Sequence, residues 1–374
     1  MPPVLSVTVA DRPEELIDLL VEGLRAPLHG PDGTVDPFAA DWVTVANHGL
    51  RNWVQQQLAV RLGAPSGAGD GVVANMTMSM PGALRWRVLN AFRSAGADGP
   101  IEDLDPWQVE RLTWTVLELI AGGGVGVDDR LRTPPEGGTL TARAAAIAEL
   151  FDRYSVHRPA MVLSWIAGDS VAADGSPLGA EQQWQFDLFR AVRERIGERH
   201  GGATSPAERL RDAVAQLRSG QLVMSEPGPY QLPGRLFAVG LSALSSEIGP
   251  LLDALATHHA VSMLLVSPSS AATVEIAAQT AASGVAIPAR DLSWSFPRPD
   301  DVAELANPLL DTWARRPFDS ARMLGAAGIE PQPVPAPEPS TPSLLTELQR
   351  HIRADASFDG AVTPPPGDRS LQVH

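Results

Sequence analysis

Two side chains are missing from this chain altogether. Its 374 residues include no cysteine and no lysine, so all 29 basic residues are arginines, set against 44 Asp plus Glu for a formal charge of −15. Without cysteine there is no disulfide, thiolate zinc site, iron–sulfur cluster or cysteine nucleophile. Without lysine there is no working Walker A phosphate loop, Schiff-base chemistry or Ser–Lys dyad, and no nuclease site that needs a lysine beside its carboxylates. Long apolar runs are also lacking. No segment approaches the ~18 apolar residues of a membrane span, and Met1–Leu20 carries Asp11, Glu14, Glu15 and Asp18 where a signal peptide has a basic start and an apolar core. These absences predict a soluble cytoplasmic protein with no membrane partner. The acidic balance argues against a free-standing nucleic-acid binder but leaves room for a basic channel, because charge acts locally once salt screens it.

The length predicts two or three modules. Residues 1–100 read as the first part of an α/β domain. Val4–Ala10 and Trp42–Ala46 are β-branched strands, Val72–Ala74 is a short third strand, and amphipathic helices start at Arg12-Pro13, Leu50 and Pro81. Residues 101–225 read as a helical insertion, with helix periodicity over Asp105–Ile120, Leu140–Val156, Glu181–Arg199 and Ser205–Leu217. Ser205-Pro206 followed by Glu208 has the form of a capping box, with proline in the first turn. In residues 226–328 strands return at Arg235–Gly240 and Val261–Val266, around a helix near Ile248–Thr257. Residues 329–374 begin with IEPQPVPAPEPSTPS, read as an extended linker, continue with a helix over Leu344–Ala354 and stop at the strand-like SLQVH. That ending predicts a truncated or split product.

Few residues have the spacing of a catalytic site. Ala10-Asp11-Arg12-Pro13, after the first strand, lacks the glycines, Lys and Ser/Thr of a phosphate-binding turn and reads as a plain strand-to-helix connection. Gly240-Leu241-Ser242-Ala243-Leu244 has the Gly-x-Ser start of a nucleophile elbow but not its second glycine, so a serine hydrolase using Ser242 stands as an alternative. The histidines show no metal-ligand spacing, and His258-His259 reads as a helix-to-strand junction. The adjacent carboxylates Asp128-Asp129 and Asp300-Asp301 read as solvated loops or helix caps. One stretch departs from the acidic average. Between Trp42 and Ala97 lie Arg51, Arg61, Arg85, Arg87 and Arg93 with one acid, Asp70, and Trp42, Trp53, Trp86 and Phe92 are interleaved with them. Arginines among aromatics suit phosphate contact and base stacking on a single strand, or two amphipathic helices with buried tryptophans.

Five stretches resemble the RecC family, the gamma subunits of exodeoxyribonuclease V. They are WVTVANHGLRNWVQQQLAVRLG (Trp42–Gly63), ANMTMSMPGALRW (Ala74–Trp86), AELFDRYSVHRPAMVLSWIAG (Ala148–Gly168), GRLFAVGLSALSSEIGPLLDAL (Gly234–Leu255) and NPLLDTWARRPFDSARML (Asn307–Leu324). They occur in the family's order over nearly the whole chain and match the N-terminal third of such a subunit. The resemblance implies an α/β fold like that of an inactivated superfamily 1 helicase-like domain, a parallel sheet with flanking helices and a helical insertion subdomain. Ala10–Pro13 would stand where the Walker A loop was and Leu241-Ser242 where the Walker B acids were. No ATPase or nuclease site is then expected, and ATP and Mg would be bound only by RecB-like and RecD-like partner subunits. The resemblance further implies a tunnel that scans single-stranded DNA for a Chi sequence, lined by Ala46, His48, Asn52, Met80, Trp86, Glu149, Leu150, Asp152, Arg153 and Arg158. Trp86, Leu150, Asp152 and Arg158 keep the family's residue type, Asn52 and Glu149 are near substitutes, and Met80 stays apolar. Ala46 and His48 depart from it, and Ala46 has no side-chain group with which to read a base edge. A module that only docks a partner subunit is the remaining alternative.

Overall fold

The computed structural model describes residues 5–29, 34–36, 38–62, 71–96, 105–122, 128–133, 138–220, 232, 234–241, 244–245, 247–283, 305–335, 342–357, 363 and 365–371, with backbone alone for residues 90, 92–96 and 129. The first part runs β1 (Ser6–Ala10), α1 (Pro13–Arg25), β2 (Asp41–Val45), α2 (His48–Leu62), β3 (Met76–Ser79) and α3 (Pro81–Gly96). Helices α4 (Val109–Gly122), α5 (Leu140–His157), α6 (Pro159–Ala167), α7 (Gln183–Arg199) and α8 (Pro206–Ser219) follow without an intervening strand. The chain then forms β4 (Arg235–Val239), α9 (Ile248–Leu255), β5 (Ala260–Val266), α10 (Ser270–Ala282), α11 (Pro308–Trp313), α12 (Arg315–Ala326), β6 (Gln332–Pro333) and α13 (Leu344–Arg353).

The strands make one six-stranded sheet in the order β3-β2-β4-β5-β1-β6, and every neighbouring pair is parallel. A parallel sheet needs helices on both faces, and the strands here are apolar on both. Trp42, Leu236, Ala238, Val261 and Met263 face a core shared with α3, α8, α9 and α12. Val43, Val45, Phe237, Val239 and Leu264 face α1 and α2. Helices α4 to α7 close round a separate aromatic core in which Phe151, Trp165 and Phe189 meet edge to face. α8 lies between the two, since Ala207 joins that core while Leu210, Val214 and Leu217 join the sheet core.

Buried polar groups tie the layers together. Arg235 donates to the carbonyls of Gly23 (2.6 Å) and Ala26 (2.9 Å) and to Asp41 (2.7 Å), satisfying the C-terminal carbonyls of α1 under the sheet. The capping box is present: Ser205 accepts from the Glu208 amide, and Glu208 accepts from the Ser205 amide. Glu208 also takes a bidentate pair from Arg193 of α7. Burial would raise the Glu208 carboxyl, but the Arg193 and Ser205 hydrogen bonds outweigh it and hold the carboxyl below its ordinary value.

The sequence reading differs in several places. The third strand is Met76–Ser79, not Val72–Ala74, which is irregular; the alternating MTMS pairs with Asp41–Thr44, whereas Val72 is exposed. The proline-rich linker enters the sheet, where Gln332-Pro333 pairs with Thr8-Val9 and the Val334 amide donates to the Val9 carbonyl at 2.8 Å. Helix α6 was not expected, because MVLSWIA is apolar all round and so has no amphipathic period. Of SLQVH, Ser370 and Leu371 are not in a strand and the rest lies outside the described residues.

Helices α10 and α12 touch through a glycine. A Cβ on Gly325 would stand 2.1 Å from the Ala277 carbonyl oxygen, and backbone cannot rotate away as a side chain can. Gly325→Ala is therefore expected to force the helices apart and cost about 1–3 kcal/mol, read as a lower denaturation midpoint. Gly82→Ala in the first turn of α3, where a Cβ meets nothing within 4 Å, is expected to be neutral or slightly stabilising in the same measurement.

Candidate nucleic-acid interface

In parallel α/β sheets, ligands gather beyond the carboxyl ends of the strands. Ala46 follows β2 directly and Met80 follows β3, so the neighbouring strands place them at the same sheet edge. Asn47 lies between Ala46 and the first helical residue, His48, and its side chain accepts from the Leu50 amide at 2.9 Å, capping α2. His48 and Asn52 stand one helical turn apart on α2 and both are exposed. The Met80 carbonyl accepts from the amides of Ala83 (2.9 Å) and Leu84 (3.1 Å), which seats it on the first turn of α3. Arg85 and Trp86 come just after that turn. Trp86 is 39% exposed, the only large aromatic of the Trp42–Ala97 stretch so exposed among the described residues.

The second group of sites lies on α5. Phe151 is locked into the helical core, which fixes the rotation of the helix. Glu149 and Arg153, a turn apart, are exposed, and Leu150 and Asp152 are half-buried. Pro159 ends α5, since its ring cannot continue the hydrogen-bond ladder, and Arg158 becomes both the last cap of α5 and the first of α6. The Arg158 guanidinium lies 5.2 Å from the centre of the Tyr154 ring, and the Tyr154 hydroxyl donates to Gln185 of α7 at 2.7 Å. Arg158 is thus an exposed cation held over an aromatic face.

A buried ion pair lies beside the first group and within electrostatic reach of the second. Arg85 forms an ion pair with Glu247, the residue before α9, whose side chain is 1% exposed. Asp152 of α5 is within electrostatic reach of both. Burial pushes the Glu247 carboxyl up to about 7; Arg85 opposes the shift and Asp152 adds to it. Burial also raises Asp152, with Arg85 and His157 opposing and Glu110 adding. Arg85, the neighbour of Trp86, is therefore paired with Glu247 and lies within the field of a carboxylate of α5. No hydrogen bond or ion pair joins Glu149, Leu150 or Arg153 to His48 or Asn52 among the described residues. Sequence reasoning missed Glu247 because nothing in SSEIG marks it as the partner of an arginine far back in the chain.

The basic-aromatic stretch is not one surface. Trp42 is 5% exposed, in the sheet core, with the Arg87 guanidinium 4.3 Å from its ring centre. Trp53 packs against the core on the α1–α2 side, and Arg61 pairs with Asp18 at 2.6 Å. Burial lowers Arg87 below the usual guanidinium value. The side chains of Phe92 and Arg93 lie outside the described residues, as does Ser242, the nucleophile of the hydrolase alternative. At the end of β1, the Asp11 carboxylate accepts from the Ser270 amide at 2.7 Å, at the start of α10, with Arg353 of α13 at 3.8 Å. A carboxylate already occupies a place where a phosphate would need free donors.

Comparison with known proteins bears on the same segments. The model of the RecC N-terminal domain matches residues 5–355. The chain belongs to the RecC N-terminal domain family. It is 31% identical over 376 residues to the RecBCD enzyme subunit RecC of Mycobacterium tuberculosis H37Rv, covering 96% of this chain and 30% of that protein. It is 28% identical over 378 residues to the subunit of the same name from Mycolicibacterium smegmatis, covering 96% of this chain and 29% of that one. To RecC of Escherichia coli K12 it is 26% identical over 265 residues, 68% of this chain and 20% of that one. The chain thus spans about 30% of the length of the mycobacterial relatives it matches. No described helix is long and apolar enough to cross a membrane.

The raised Glu247 carboxyl fixes the sign of a pH effect. Its folded value of about 7 lies above the ordinary 4.5, so the unfolded chain releases this proton first and stability falls as pH rises from about 4.5 through about 7. Relative to a Glu247→Gln variant, the unsubstituted chain is expected to lose on the order of 3 kcal/mol over that range and to run parallel above it. Urea midpoints at a series of pH values measure this, and parallel profiles throughout would show an ordinary carboxyl.

Proposed function

We propose that this chain is a non-catalytic, DNA-guiding part of a RecBCD-type helicase–nuclease, acting on single-stranded DNA beside RecB-like and RecD-like subunits. The observation that carries the reading is the convergence at Arg85. An exposed tryptophan, Trp86, is the next residue along α3, while Asp152 acts electrostatically on Arg85 from the helix that ends in the exposed Arg158. An aromatic face, a held guanidinium and a carboxylate are what stacking, phosphate contact and base-edge hydrogen bonding require. His48, Asn52 and Met80 at the adjacent strand ends, and Leu150 and Arg153 on α5, would extend the path. The family membership supports the same reading.

ATP and magnesium belong in this proposal to the partner subunits. The chain has no lysine for the phosphates, and the Asp11 carboxylate is engaged at the end of β1. Movement of DNA would be driven elsewhere, and this chain would supply a path. Scanning for a Chi-like sequence is part of the proposal, with one chemical constraint: the Ala46 side chain cannot hydrogen-bond to a base, so any side-chain reading of sequence falls to other positions.

Titration of a labelled oligo-dT with the chain tests the reading. Trp86→Ala is expected to cost about 1–3 kcal/mol of affinity, the value of one stacked base. Arg158→Ala is expected to weaken binding and to reduce the slope of log affinity against log salt by about 0.7, one phosphate contact on a single strand. Unchanged affinity in both variants across the salt series would favour a module that only docks a partner subunit.

A further inference from the structure

We propose that Glu247 is the positioning residue of this interface: through Arg85 it holds the α3 segment that carries Trp86 against the start of α9. The inference rests on the nucleic-acid reading above and names what fixes its α3 half. Glu247 sits at the N-cap of α9 but makes no side-chain capping hydrogen bond there, so its carboxylate does not serve its own helix. It is almost fully buried and points instead to Arg85. A buried carboxylate left alone is strongly unfavourable, so the pair forces Arg85, and with it the exposed turn of α3, into one position.

Among the described residues, two charged groups act on Glu247. Arg85 faces it from α3 and Asp152 from α5; Asp152 in turn faces His157 of its own helix and Glu110 of α4. The remaining ion pair of α9, Asp253 with Arg218 of α8 at 2.8 Å, lies near the other end of that helix. While Glu247 is ionised, it holds the Arg85 guanidinium in an ion pair, with the Asp152 charge acting on the same guanidinium from farther off. Once Glu247 is protonated, Arg85 loses that charged partner, and the α3 turn is no longer pinned to the start of α9. Burial places that change near neutral pH.

Fluorescence anisotropy with a labelled oligo-dT, from pH 6 to pH 8.5, tests the proposal on the full chain. The unsubstituted chain is expected to bind at least about threefold more weakly at pH 6 than at pH 8. Glu247→Gln, which keeps the shape and removes the charge, is expected to be weaker at pH 8 and nearly flat with pH. A Glu247→Gln variant that matches the unsubstituted affinity and pH profile overturns the positioning role. If that variant does not fold by circular dichroism, the profile of the unsubstituted chain decides, and one that is flat or strengthens toward pH 6 overturns it. Reduced affinity in Trp86→Ala beside an unaffected Glu247→Gln sinks this inference alone. Unchanged affinity in Trp86→Ala, Arg158→Ala and Glu247→Gln together sinks the nucleic-acid reading as well.

Discussion

Every strand pair described here is parallel, and a parallel sheet exposes apolar side chains on both faces unless helices cover them. That constraint organises the rest of the chain. Each strand must be followed by a crossover that returns to the same end, so α1 and α2 cover one face while α3, α8, α9 and α12 cover the other. The helical bundle α4–α7 interrupts this scheme between β3 and β4, and it carries its own core because the sheet has no apolar surface left to share. The crossovers also bring the ends of β2, β3 and β4 to one side of the sheet, where Arg85 pairs with Glu247 and Asp152 of the bundle lies within electrostatic reach.

The junction between the two bodies has an apolar part, where Leu163 and helix α8 pack against both cores, and a charged part near Arg85, and this affects what it can do. Apolar contact tolerates sliding, whereas an ion-paired guanidinium has a preferred direction and is sensitive to the charge of its partner. Trp86 and Arg158 are held by different means on either side of it. Trp86 belongs to α3, which Arg85 anchors, and Arg158 rests on Tyr154, itself fixed by Gln185. The β1 end shows the opposite use of charge. Asp11 serves α10, and Ser269 donates to the Arg353 carbonyl at 2.7 Å, so α13 is drawn onto that end of the sheet.

Much of the fold was legible because local pattern and final environment agree. VTVA, WVTV, RLFAV and VSMLLV are dominated by β-branched and apolar residues, as strands buried on both faces tend to be, and Ser205-Pro206 with Glu208 announced α8 by its capping chemistry. Strand order was not legible, since pairing β1 with β5 joins segments some 250 residues apart by backbone hydrogen bonds that carry no residue code. The candidate site was legible in its members but not in its assembly. Trp86, Asp152 and Arg158 stood out through family resemblance, while the arginines counted as one basic stretch divide among Asp18, Trp42 and Glu247. Composition counts charges; it does not say which of them are already paired.

The proline-rich segment shows how a sequence can mark the border of a sheet. Along a strand, successive amides point alternately to its two sides, and the Val334 amide points inward to Val9. Pro331, Pro333 and Pro335 occupy the alternate positions, whose amides would point outward. Proline has no amide hydrogen, so the outer rim of β6 offers few donors to an incoming strand. What reads as a linker is an edge that cannot be extended, a built-in stop against the sheet-to-sheet association to which bare edges are prone.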